Sequence, residues 1–109
     1  MFRLKVNKAN IKILEKETIT SGRMGLKISL EFSPEWENLN KIVIFEAGDL
    51  TRKGVLAPNN IVTVPISVLE FYGKRLKIGI KGSNGIDTII PTIYADLGMI
   101  LRGTSETGV

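Results

Sequence analysis

From Gly25 to Trp36 (GLKISLEFSPEW) apolar and polar residues alternate strictly until a proline ends the pattern. Leu26, Ile28, Leu30 and Phe32 fall on one face, and Lys27, Ser29 and Glu31 on the other. That period of two predicts a strand buried on one side only. Ser33 is placed to cap and Pro34 to open a helical turn, with Glu35 and Glu37 near its positive end. Trp36 and Leu39, three apart, then share a side. The expected role of this turn is to plug one end of a sheet layer.

Similar patterns recur along the chain. Phe2 to Val6 predicts a strand with Leu4 and Val6 inward, and Asn10 to Leu14 a second resting on Ile11 and Ile13. Thr18 to Gly22 reads as a polar connection. Lys41 to Glu46 (KIVIFE) is rich in β-branched and aromatic residues and predicts a strand. Ala47-Gly48-Asp49 then turns into Leu50 to Leu56 as a hairpin partner. Ile61 to Val64 makes a further short strand, and Pro65 to Phe71 one or two helical turns stopped by Gly73. Arg75 to Lys81 and Ile86 to Ile90 flank Gly82-Ser83-Asn84-Gly85, where Asn84 and Gly85 tolerate positive φ and signal a hairpin. Pro91 to Asp96 and Leu97 to Leu101 complete the apolar sequence.

About eight short strands with barely one helical segment predict an all-β domain, a two-layer antiparallel sandwich of Ig-like or jelly-roll-like kind. At 109 residues the chain is expected to be one domain, residues 1–103, followed by a small polar tail or linker stub at 104–109.

Composition narrows the chemistry. The chain has no cysteine, which removes disulfides and thiolate metal sites, and no histidine, the commonest general base and metal ligand. No catalysis, metal or cofactor is expected. Met1 to Asn10 lacks the continuous apolar stretch of a signal peptide, and no segment is long enough to span a bilayer. The formal charge of +4 raises the possibility of nucleic acid. However, the basic residues are dispersed, and the one local excess (Lys74, Arg75, Lys77, Lys81) puts Arg75, Lys77 and Lys81 on one face of a strand, as a solvated outer surface does. Nucleic acid is therefore not the expected partner. It stays the third function class, one that would require those three to share a surface with Lys5, Lys12 and Lys27.

Few residues invite a site. Gly79 interrupts a strong strand, which usually marks a bulge or a close backbone approach; a packing reason is expected ahead of room for a ligand. Asp49, Asp87 and Asp96 have no calcium-loop spacing and read as turn and cap residues. Glu35 and Glu37 lie too close together on one turn to face each other across a cleft. Trp36, Phe45, Phe71, Tyr72 and Tyr94 are the aromatics a carbohydrate surface would need, although Trp36 beside Pro34 reads first as a core plug. The residues singled out as structural are Leu30, Phe32, Pro34, Trp36, Gly79, Asn84 and Gly85.

Four segments in order, LEFSPEWENLNKIVIF (30–45), VPISVLE (64–70), LKIGIKG (76–82) and IPTIYADLG (90–98), resemble a family of small domains in phages and prophages of Gram-positive bacteria. Such domains stand at the amino-terminal end of tail, baseplate or fibre structural proteins. The resemblance covers nearly the whole chain and implies a virion structural component, made in the bacterial cytoplasm, that docks a fibre or accessory protein onto the particle and forms homo-oligomers. Family members commonly continue past the point where this sequence stops. A capsid decoration protein is one alternative. A host-surface glycan-binding module is another, requiring Tyr72 and Tyr94 to be exposed. No catalytic or ligand residues carry over.

Overall fold

The structure, a computed structural model, describes residues 1–103. The expected tail at 104–109 lies outside the described residues. Alternation places the strands as expected: in β1 (Phe2–Val6) Phe2, Leu4 and Val6 are buried while Arg3 and Lys5 are exposed. There follow β2 (Ile11–Glu15), β3 (Lys27–Phe32), β4 (Asn40–Ala47), β5 (Leu50–Gly54), β6 (Ile61–Thr63), β7 (Arg75–Ser83) and β8 (Ile89–Met99). Two 3-10 turns, Pro34–Trp36 and Ile66–Glu70, are the helical elements of the described residues. The strands form two four-stranded sheets, β2-β1-β3-β6 and β5-β4-β7-β8, whose inner faces share one apolar core. The fold is an all-β sandwich.

Five of the six neighbouring strand pairs are antiparallel; β1 and β3 run parallel. After the β1–β2 hairpin the chain passes round through residues 16–26 and enters on the far side of β1, so β3 takes the direction of β1. Residues on that passage fasten to the end of the chain. Thr20 bridges Leu101 in parallel, Leu101 N donates to Ile19 O (2.9 Å), and Ser21 N donates to Leu101 O (2.8 Å). Gly103 N donates to Ser21 Oγ at 2.8 Å.

Leu30, Trp36 and Leu39 are buried, Phe32 is partly so, and among the described residues no polar side chain is buried in the core. Trp36 is fully enclosed, and its indole N–H donates to the Asn7 carbonyl at 3.1 Å, so the one polar atom of the plug keeps a partner. Phe32 packs against it at 5.5 Å between ring centroids. Beneath the indole lies Gly82, an inward position of β7 where a β-carbon would stand 2.8 Å from Cζ3.

Several local expectations need correction. Ser33 does not cap the turn with its side chain; its hydroxyl donates to Glu35 Oε1, because the three-residue turn is already closed by Trp36 N to Ser33 O (3.0 Å) and Glu37 N to Pro34 O (3.0 Å). The β7–β8 hairpin exists, but its loop is residues 84–88, and Gly82 belongs to the strand. Gly85 has φ +76°, whereas Asn84 keeps negative φ. β5 stops at Gly54, where a β-carbon would meet Phe45 at 2.7 Å and Val62 at 2.8 Å. Residues 89–99 form one strand rather than successive short ones. It carries Pro91 because β8 ends its sheet and its register shifts opposite Ile80 to Gly82, where an amide can be spared.

Candidate interaction surface

The outer face of the second sheet is built in rows by the register of β4, β7 and β8. One row is Glu46, Lys77 and Asp96; the next is Ile44, Gly79 and Tyr94; Ile42 and Lys81 begin a third. Lys53 of β5 stands opposite Ile44, and Thr51 opposite Glu46. The result is an apolar centre with a rim of mixed charge.

Gly79 makes the middle row possible. It is neither a bulge nor a close approach of backbone, as its place in the strand suggested. Instead, a β-carbon there would lie 2.6 Å from Tyr94 Cε1 and 2.9 Å from Ile44 Cγ1, so side chains from both neighbouring strands occupy the space it leaves. Strands lie about 4.8 Å apart, and Cε1 and Cδ1 of Tyr94 reach across from β8 to cover Gly79 on β7. Tyr94 itself stays 50% exposed. Partial desolvation, and then the Glu46 carboxylate, push the Tyr94 phenol above its ordinary pKa.

Beside this ring is a shallow cleft of about 240 Å³ lined by Glu46, Ala47, Gly48, Lys74, Arg75, Lys77 and Asp96. Asp96 is committed: its Oδ2 accepts from Arg75 Nε at 2.6 Å and its Oδ1 from the Gly98 amide at 2.9 Å. The Arg75 bond, aided by the Gly98 amide, holds the Asp96 carboxyl below the usual range. Glu46, Lys74 and Lys77 take part in no ion pair among the described residues.

At the end of the same sheet, the 84–88 loop is organised around one amide. Asn84 Oδ1 accepts from the backbone N–H of Ile86 (2.9 Å), Asp87 (3.1 Å) and Thr88 (3.0 Å). Its Nδ2 donates to Asp87 Oδ1 at 2.9 Å, and Thr88 Oγ1 donates to the same oxygen at 3.1 Å. Gly85 N reaches Ser83 Oγ at 3.0 Å. The apolar residue of this fixed loop, Ile86, is 90% exposed, and Ile89 at its base is 65% exposed.

The sheet edges differ. β2 carries Lys12 and Glu15 in five residues and β5 carries Arg52 and Lys53, charges that discourage pairing with another chain. β6 has three residues and is bridged by Leu56. β8 ends its sheet with eleven residues and one charge, Asp96.

The singled-out residues thus divide. Leu30, Phe32, Pro34 and Trp36 gather at the plugged end, with Pro34 exposed and opening the turn. Gly79 lies on the outer face, and Asn84 and Gly85 form the hairpin tip. Arg75, Lys77 and Lys81 do not join Lys5, Lys12 and Lys27, which project from the other sheet on the opposite side of the sandwich. Both Tyr72 and Tyr94 are exposed, but Arg102 stands over the Tyr72 ring at 5.6 Å. Glu46, Gly82 and Ile86 are additional positions of consequence. Glu46 was readable as the outward end of the Ile42-Ile44-Glu46 alternation; nothing in the pattern distinguished Gly82 from a turn glycine.

Among the described residues there is no group of three or more acidic residues placed to hold a metal, and no helix is long and apolar enough to cross a membrane. Compared with protein-family models, curated proteins and solved structures, the chain matches none.

Proposed function

We propose that this chain is an assembly domain of a phage or prophage particle, a β-sandwich that docks a tail, baseplate or fibre component through protein–protein contacts. The observation that carries the docking reading is the hairpin tip. A loop held by one asparagine side chain presents an isoleucine to solvent, and a contact made by an ordered loop loses little conformational entropy on binding. Burying one such side chain in a partner's apolar socket is worth about 1.5–3 kcal/mol. The sparsely charged β8 edge offers backbone groups to a further strand, and symmetric copies of the domain would multiply a weak contact. The phage setting rests on the order and spacing of the four sequence segments. On this reading the chain acts in the virion, its partners are other virion structural proteins and copies of itself, and it performs no chemistry. The same contacts would serve a protein decorating the capsid.

The test combines light scattering with capture. The domain, as bait, is incubated with the purified products of the genes beside its own, in parallel with an Ile86→Asp bait. The expected outcome is an oligomer, or a complex with one neighbouring product that the substitution abolishes. A strict monomer at high concentration that captures none of those proteins overturns the docking reading.

A further inference from the structure

We propose that the outer face of the second sheet carries a saccharide site, in which the Tyr94 ring is the stacking platform and the cleft beside it binds the hydroxyl groups of a neutral sugar. Sugar rings present C–H groups on their faces and hydroxyls at their edges, so they favour an open aromatic face beside polar side chains with spare hydrogen-bonding capacity. Both are present here. Tyr94 covers Gly79, which leaves room for its ring, and the residue stays 50% exposed. Glu46 and Lys77, in the adjacent row, supply an acceptor and a donor that no ion pair among the described residues engages. The cleft has room for one pyranose ring.

Charge selects the ligand class. Lys74, Arg75 and Lys77 alone would suit phosphate, but Glu46 and Asp96 share the lining and repel anions. A neutral polyhydroxyl ligand meets no such conflict. Tyr72 is a poorer platform, since Arg102 occupies a face of its ring. Covering Gly79 accounts for the contact that the Tyr94 ring makes and gives no reason for a glutamate and a lysine beside it that take part in no ion pair among the described residues.

The test is a backbone-amide NMR titration with a panel of neutral trisaccharides (glucose, galactose and N-acetylglucosamine series), with inorganic phosphate as the competing ligand. The expected result is saturable shifts at Gly79, Tyr94, Glu46 and Lys77 with at least one sugar, retained in Tyr94→Phe and weakened about tenfold or more in Tyr94→Ala. Lys77→Ala and Glu46→Gln, both at the sheet surface, are expected to weaken binding without lowering Tm, which a purely structural role for these groups would not produce. The proposal is overturned if no panel member moves these amides at millimolar concentration, if phosphate moves them as strongly as any sugar, or if Lys77→Ala and Glu46→Gln bind like the parent chain. Ile86→Asp is expected to leave sugar binding intact, so failure here and failure of the docking reading are separate results.

Discussion

Gly82 lies directly beneath the Trp36 indole, with 2.8 Å between Cζ3 and the place a β-carbon would take. Both neighbours are fixed: the ring is fully enclosed, and its N–H is tied to Asn7. Gly82→Ala is therefore expected to destabilise the domain by about 1–3 kcal/mol through overpacking. Trp36→Ala, which empties the same space, is expected to cost about 3–5 kcal/mol. Chemical denaturation midpoints check both, and an unchanged midpoint for Trp36→Ala would remove the plug from the account of the fold.

At the hairpin tip, Asn84→Ala takes one acceptor from three amides. Because the loop is exposed, water replaces part of the loss, and the expected cost is about 0.5–1.5 kcal/mol. The larger effect is local: hydrogen exchange at Ile86, Asp87 and Thr88 is expected to accelerate more than exchange in β7. Ile86→Asp makes no such change and is expected to leave stability within about 0.5 kcal/mol of the parent.

The Arg75–Asp96 pair responds to acid. Its carboxyl is held below the ordinary value of 3.8. A depressed carboxylate contributes stability that is fully present above its unfolded value and is lost as pH falls through the folded one. The expected loss thus begins below about pH 3.8 and is small, since the pair is exposed. Arg75→Met is expected to raise the Asp96 pKa towards its ordinary value, as read from its carboxyl carbon shift during titration.

Gly79→Ala is expected to lift the Tyr94 ring and displace Ile44. Both are side-chain neighbours able to swing outward, so the change in stability is expected to stay below about 1–2 kcal/mol. The informative readout is the phenol. Freed from the sheet and from Glu46, Tyr94 should titrate nearer 10.0, whereas in the parent chain it titrates higher.

The layers were legible because each strand has one wet face. In β1 and β3 every other side chain decides the orientation, and Leu4, Ile28 and Leu30 are buried as alternation requires. Pairing was less legible. The parallel β1–β3 contact follows from the path of residues 16–26, and alternation carries no information about which strand a neighbour will be. Glycine was the hardest residue to place. Gly79, Gly82 and Gly85 occupy one short stretch, yet one makes room for a tyrosine, one for a tryptophan, and one adopts positive φ in a loop. A missing side chain leaves no periodic mark to separate these uses. The hairpin signal at Asn84-Gly85 was correct, but its loop geometry depended on where the Asn84 amide oxygen found donors.

The fastening of Leu101 and Gly103 to Thr20 and Ser21 has a mechanical consequence. The two segments run in the same direction, so a pull on the chain at residue 103 loads their hydrogen bonds in shear along the strand axis instead of peeling them apart singly. Tension entering there would pass into the first sheet as well as along β8, dividing the strain between both layers before either had to open.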